Sequence, residues 1–393
     1  MTPVLPPLRL VGATILRDGT LQQRSVAIAD GRLTKGPLPE VNLRGYLVLP
    51  GIVDLHGDAF ERHIAPHVTA PHRIETGLQA AEREAAANGV TTAWIAQDWS
   101  WDGGLRGPDF AEQVMAALEA YRRRMLIDLR LQIRCETHLI DSGPRLLAAI
   151  RRHGADYVVF SNRLAEAIEQ YRTQPPEPAT WPERAGRTPE AQLALLESLA
   201  ARGAEVPRHL CRLAEAFDTM GVSYGSHDDR DGETRERFSM IGARIAEFPA
   251  TRRAAAAARA MGDPVLMGAP DVVRGGSPSG RVAASDLIRQ RLCDALVSDD
   301  HYPSLAEAAW RLVDDGLCDL PQAWAMISAR PAEILRLPDR GRLDHGRRAD
   351  LVVVNEETRA IEATIAGGRL AYLAGEAGRR FLTAATRVEM AAE

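Results

Sequence analysis

Eight short apolar runs, separated by stretches of helical periodicity, predict an α/β fold: a (β/α)8 TIM-like barrel with a small β-sandwich domain formed from both chain ends. Two further observations point the same way. At 393 residues the chain is too long for one minimal domain, and a barrel of about 250 residues with a smaller companion would use it fully. Ionisable residues also stand at the ends of several apolar runs, which is where a parallel barrel gathers its site.

Residues 1–50 read as short strands punctuated by turns: LRLVGATIL, the turn at Asp18-Gly19, SVAIAD, the turn at Asp30-Gly31, then GYLVLPG. The carboxyl end repeats this style, with Gly341 and Gly346 flanking a loop before ADLVVVN and IEATIAGGRLAYLAG. Residues 1–50 and 338–393 are therefore expected to form one composite β-sandwich domain, and residues 51–337 the barrel. In that middle part the runs suited to buried parallel strands are GIVDLH, VTTAWIAQ, LRLQIRCE, DYVVFSN, VSYGSH, GARIAEF, PVLMGA and DALVSDD. A doubly wound sheet would give the same local pattern and stays open at this point. Helices are expected over ETGLQAAEREAAANG, with Gly89 as C-cap, and over SLAEAAWRLVDDG, with Ser304 as N-cap and Gly316 closing it. Residues 173–190 carry five prolines and no periodicity, which predicts a surface loop or lid.

Apolar residues at 45% and charged residues at 26% are ordinary for a soluble globular chain, and a net charge of -5 gives no attraction to nucleic acid or membrane. The amino terminus lacks a basic region followed by an apolar run and a small-residue cleavage site, and no run of 18 apolar residues occurs, so neither export nor a membrane span is expected. Cys135, Cys211, Cys293 and Cys318 show no paired spacing, which fits a reduced, cytoplasmic setting. A homo-oligomer is compatible with all of this.

The strongest chemical signal is His56-Gly57-Asp58. Positions two apart on a strand share a side, so both side chains can grip one cation from the barrel end. Glu136, His227, Glu247 and Asp299 end further runs, where unpaired burial would cost several kcal/mol unless a cation or partner compensates. A surface rim of charges is the alternative. The stretch GAPDVVRGGSPSG offers a phosphate cradle: backbone amides at Gly275 and Gly276, hydroxyls at Ser277 and Ser279, and the guanidinium of Arg274. It follows the seventh run, where barrels often hold phosphate, although glycine-serine stretches are more often plain loops. His138 lies two residues beyond Glu136 and could reach the same pocket. His63, His67 and His72 read as solvated loop residues, and Trp94, Trp99 and Trp101 as pocket wall or core.

The phrases LVLPGIVDLH, SHDD, IAEFPAT, VLMGAPDVVRGGSPSGRVAAS and LVSDDHYPS, in that order, resemble the α-D-ribose 1-methylphosphonate 5-triphosphate diphosphatases of the carbon-phosphorus lyase pathway, in the amidohydrolase superfamily. The resemblance implies a barrel beside a composite β-sandwich, a divalent metal at the strand ends, and hydrolysis of a ribosyl alkylphosphonate triphosphate to the 5-phosphate and diphosphate. It makes His56, Asp58, Glu136 and His227 metal ligands, Glu136 able to bridge two metals, and Asp299 the eighth-strand carboxylate beside the attacking water. Zinc suits a His and carboxylate set, while manganese or magnesium suits carboxylates bound with phosphate. The chain departs from the pattern in two places. Ser161-Asn162 stand where the family has a histidine after the fourth strand, and GGSPSG replaces a second histidine. An amidohydrolase acting on a cyclic amide or N-acyl sugar, and a catalytically silent scaffold barrel, are the competing readings.

Overall fold

The computed structural model describes residues 4–64, 73–174, 186–277 and 280–390. Among the described residues seven strands precede the barrel: β1 (Leu8–Val11), β2 (Thr14–Arg17), β3 (Thr20–Gln23), β4 (Val26–Ala29), β5 (Arg32–Thr34), β6 (Glu40–Asn42) and β7 (Tyr46–Pro50). The barrel strands are β8 (Ile52–Gly57), β9 (Val90–Trp99), β10 (Asp128–Glu136), β11 (Tyr157–Ser161), β12 (Ser223–His227), β13 (Ile245–Glu247), β14 (Val265–Gly268) and β15 (Ala295–Val297). After them come β16 (Leu351–Asn355), β17 (Ile361–Ala366) and β18 (Arg369–Leu373).

The outer strands form two sheets, ordered β5-β4-β1-β6 and β18-β17-β16-β7-β2-β3. The join between the chain ends is antiparallel: β16 runs along β7, with Val352 opposite Leu49. Leu10, Ile15, Ile28 and Val48 from one end share a buried core with Leu351, Val353 and Ile365 from the other. Alternating burial in β1, where Leu8 and Leu10 face inward, is the period of two expected of a half-covered sheet.

Strands β8 to β15 lie side by side in sequence order, each parallel to the next. Sequential order has no switch point, so a doubly wound sheet is excluded and the barrel expectation holds. A parallel bridge between Gly57 and Asp299 joins the first strand to the eighth. At the opposite end of this seam the two strands diverge, and the chain at Met326-Ile327 fills the gap: Val53 N donates to Ile327 O at 2.9 Å and Leu296 N to Met326 O at 3.0 Å. Val53, Leu55, Trp94, Tyr157, Val159, Ile245, Leu266 and Val297 pack inside the barrel, as buried parallel strands with apolar runs require.

The helix over Ile74–Ala87 buries Leu78, Ala81 and Ala85, and its C-cap is Asn88, with Gly89 one residue later at φ +82°. Ser304 is the first residue of its helix rather than the cap. Its hydroxyl donates back to His301 O at 2.6 Å, and Pro303 takes the cap position, with no side-chain cap hydrogen bond. A terminal helix over Gly375–Met390, absent from the strand-only reading of the carboxyl end, packs Ala377 and Phe381 on the sandwich core. Residues 175–185, the centre of the expected loop or lid, lie outside the described residues, as do His67 and His72. The four cysteines are free. Among the described residues no helix is long and apolar enough to cross a membrane.

At the amino-terminal end of the barrel strands Asp128, the first residue of β10, ties the barrel to the chain leading into β16. Its Oδ2 accepts from Arg340 Nη1 at 2.6 Å and from Arg130 Nη2 at 3.0 Å. Burial pushes this carboxyl up, but Arg130 and then Arg340 outweigh it and hold the pKa at about 2, below the usual 3.8. Because the folded value is depressed, the stabilisation is complete above pH 3.8 and is lost as the pH falls toward 2. Asp128→Asn is expected to destabilise the protein by about 2 kcal/mol at pH 7 and by almost nothing at pH 2. Urea titrations across that range test it, and a pH-independent difference would remove the ion pairs as the cause.

Candidate metal centre

The site is built where strands end. Asp54 and His56 alternate on β8, and Asp54 reaches across the seam: its Oδ1 accepts from Ser298 N at 3.0 Å and its Oδ2 from Ser298 Oγ at 2.6 Å. One step further, Asp299 N donates to His56 O at 3.0 Å and Asp58 N to Asp299 O at 2.6 Å. These bonds bring the ends of the first and eighth strands together. Gly57 permits the approach, since a Cβ there would lie 3.1 Å from Asp54 Oδ2 and 3.2 Å from Ser298 Oγ. Burial raises the Asp54 pKa to about 6 against the lowering effect of these hydrogen bonds.

Two groupings place possible ligand atoms within 4.8 Å of one another: His56, His227 and Glu247, and His56, Asp58 and Asp299. His56 is fully buried. Its Nδ1 meets Glu247 Oε2 at 2.9 Å, and its Nε2 faces Asp58 Oδ1 at 3.5 Å. Burial disfavours a charged ring, but Glu247 and Asp58 outweigh it and hold the imidazole pKa well above its usual value. Burial likewise works against ionised Asp58, yet Arg134 and then His56 keep its carboxyl well below the usual range. His227 ends β12, its ring 5.2 Å from that of His56, and Phe248 packs against both at 5.2 and 5.0 Å. The second aspartate of SHDD, Asp229, is locked beneath this turn by Ser226 Oγ at 2.6 Å and the buried Arg235 at 3.2 Å. Asp299 is half-buried, and desolvation raises its pKa.

Buried polar atoms left without a partner identify what the site is built for. His56 Nε2, Asp58 Oδ1, and both His227 nitrogens make no hydrogen bond. Buried polar atoms are almost always satisfied, and nitrogen and carboxylate oxygen are the donors a divalent cation takes, so these residues fit a metal. Glu247 has a different environment. Its Oε1 accepts from Gln132 Nε2 at 2.7 Å and from Tyr157 Oη at 2.6 Å, while its Oε2 holds His56. A carboxylate that fixes the far nitrogen of a histidine orients that histidine toward a metal.

The remaining expected residues are placed elsewhere. Glu136 ends β10, outside both groupings. Its Oε1 accepts from Arg163 Nε at 2.8 Å and from Ser161 Oγ at 3.3 Å. His138 points its Nδ1 at Thr137 Oγ1, 3.1 Å away. Gly275 N and Gly276 N both donate to Asp271 O, at 3.1 and 3.0 Å, closing the helix Ala269–Arg274. The expected cradle amides are thus consumed as a helix terminus, because Arg-Gly-Gly after an amphipathic turn is a C-cap before it is a loop. Arg274 pairs with Asp271 of its own helix at 2.9 Å and stands half exposed. Ser277 is described and Ser279 lies outside the described residues. His63 pairs with Glu84 at 2.6 Å, and Trp94 and Trp99 are core. The sequence reading passed over Arg281, which ion-pairs with Asp228 next to His227, and Arg134, whose Nε and Nη2 lie 2.5 and 3.1 Å from Asp98 and whose Nη2 lies 3.4 Å from Asp58.

Comparison with known proteins decides the family. The chain is 31% identical over 371 residues, 90% of its length and 95% of the relative's, to the alpha-D-ribose 1-methylphosphonate 5-triphosphate diphosphatase of Escherichia coli (strain K12). The chain belongs to that relative's family, within the amidohydrolase superfamily. No protein-family model matches it. Solved structures share the fold at low identity. A Xaa-Pro dipeptidase with bound methionine aligns with a TM-score of 0.61 at 16% identity, covering 93% of this chain and 99% of that one. N-acetylglucosamine-6-phosphate deacetylase from Pasteurella multocida aligns with a TM-score of 0.61 at 11%, covering 93% and 99%. With its clustered donors at the mouth of a closed barrel, this member of the amidohydrolase superfamily is a metal-dependent hydrolase.

If Glu247 orients His56, Glu247→Gln should weaken metal binding about 10- to 100-fold. Zinc titration against a competing chelator measures this, and an unchanged affinity would show that His56 needs no such support.

Proposed function

We propose that this amidohydrolase-superfamily barrel hydrolyses α-D-ribose 1-methylphosphonate 5-triphosphate, or a closely related ribosyl alkylphosphonate triphosphate, to the 5-phosphate and diphosphate. The observation that carries the reading is the likeness to the Escherichia coli diphosphatase along nearly the whole of both chains. The arrangement of the site supports it physically. His56, Asp58, His227 and Asp299 would hold the metal, and two imidazoles with carboxylates suit zinc. A bound divalent cation supplies Lewis-acid charge and lowers the pKa of water toward neutrality.

The chain's own groups do the rest. Asp299 lies at the seam, where its carboxylate can orient the attacking water and accept its proton. The water oxygen forms a bond to the α-phosphorus while the bond to the α–β bridging oxygen breaks, and diphosphate leaves with that electron pair. Arg281, paired with Asp228 next to His227, would supply an anion contact, and Arg274, half exposed on its helix, could add a second. Arg134, held by Asp98 within the barrel mouth, adds a fixed positive charge on the other side. Fixed charges of this kind stabilise charge developing on phosphoryl oxygens without reorganising during the step.

The test is diphosphate release by metal-reconstituted protein from a ribosyl alkylphosphonate 5-triphosphate, beside ATP, a dihydropyrimidine and an N-acetyl sugar phosphate. Release from the first substrate alone, reduced about 10²- to 10⁴-fold by Asp299→Asn, is the expected result. Cleavage of a carbonyl substrate in its place would overturn the phosphohydrolase reading, and full activity in the variant would remove Asp299 as base.

A further inference from the structure

We infer that the centre takes a single divalent cation, and that the guanidinium groups of Arg134 and Arg163 hold the carboxylates a second cation would require. The inference rests on the metal reading above. It separates two halves of the barrel mouth that carry opposite signatures.

On one half the buried donors make no hydrogen bond: His56 Nε2 and Asp58 Oδ1, which face each other at 3.5 Å, and both nitrogens of His227, whose Nδ1 lies 3.3 Å from Asp228 Oδ2. On the other half each carboxylate is matched. Asp98 binds Arg134 through both oxygens, at 2.5 and 3.1 Å, and also lies 3.5 Å from Arg106. Glu136, only 1% exposed, accepts from Arg163 Nε at 2.8 Å, from Arg163 N at 3.3 Å and from Ser161 Oγ at 3.3 Å. Arg163 continues to Asp102 at 3.0 Å, and its guanidinium lies over the Trp101 ring at 5.5 Å. The outer oxygen of Asp58, Oδ2, lies 3.4 Å from Arg134. Asp58 therefore turns one oxygen to an arginine and the other to His56 Nε2 without a hydrogen bond, a gap that a single cation between them would satisfy.

Arginine cannot shed its proton in a protein, so Arg134 and Arg163 are permanent charges. A second dication at Glu136 would have to displace a guanidinium held on three sides and then sit beside it. The residue following β11 is Asn162, whose amide would be a weak ligand, so that strand end gives little in return. Glu136 thus serves to anchor Arg163, rather than to bridge two metals as the resemblance implies.

Reconstituting the purified protein with excess zinc, or with manganese, removing loosely held ions by gel filtration, and counting metal per chain by mass spectrometry tests this without reference to turnover. One tightly bound ion per chain is expected, with Glu136→Gln retaining one ion at an affinity within about 3-fold and Asp58→Asn losing it. Two ions per chain, or loss of the ion in a folded Glu136→Gln protein, would overturn the inference while leaving the metal reading intact. No ion with either metal would overturn the metal reading itself.

Discussion

Closing eight parallel strands forces the first against the eighth, and the rest of the site hangs on how that seam is made. The strands part at one end, where Met326 and Ile327 bond to both. They meet at the other through Asp54, Ser298 and the bridge between Gly57 and Asp299. The seam therefore delivers His56, Asp58 and Asp299, which are more than 240 residues apart in part, to one point. Backbone hydrogen bonds fix the carbonyls and amides next to each of these side chains, so their positions are set by the barrel rather than by a loop. A site built on strand ends keeps its geometry better than one built on connecting segments, which is what chemistry at a shared cation requires.

Burial of charge is the second constraint, and it explains why the mouth of the barrel is so heavily networked. Asp98, Glu136, Glu247 and Arg134 are all nearly inaccessible. Leaving any of them unpaired would cost several kcal/mol, and removing one partner of a buried pair is worse than never having had the pair. The network meets this cost by local neutralisation: Arg134 with Asp98, Arg163 with Glu136, Glu247 with Gln132, Tyr157 and His56. Among the buried atoms without a hydrogen bond, His56 Nε2, Asp58 Oδ1 and the His227 nitrogens are the ones a cation at the seam would complete. The unsatisfied set is thus as informative as the satisfied one.

Much of this architecture was legible because buried parallel strands read as apolar runs and their ends as ionisable residues. All eight runs became strands, and His56, Asp58, His227 and Asp299 did converge. What escaped notice had two causes. Gln132, Arg134 and Glu136 alternate on β10, so the period of two sets all three on one face, but an arginine inside an apolar run carries no ligand signal of its own. The partnership of Glu247 with His56, in contrast, spans 191 residues and is fixed only by the closure of the barrel. The glycine loop failed for a local reason. Gly275 and Gly276 follow a helical turn, and the C-cap they form competes with any ligand for the same amides.

The backbone at the strand ends carries a last clue. Asp228, Phe248 and Asp299 adopt left-handed conformations, at φ +62°, +49° and +55°, one or two residues past the ends of β12, β13 and β15. Aspartate tolerates this region, but an aromatic residue there is unusual. The conformation lets each chain continue its ladder for one more bond, Asp228 N to Glu247 O at 3.0 Å and Phe248 N to Leu266 O at 2.9 Å, before leaving the barrel. In the same turn Phe248 lays its ring against His56 and His227. Strain of this kind persists only where the surroundings over-determine it, and here the surroundings are the ladder and the two imidazoles. The barrel thus extends its hydrogen bonding to the rim and sets an apolar ring against both histidines with one residue.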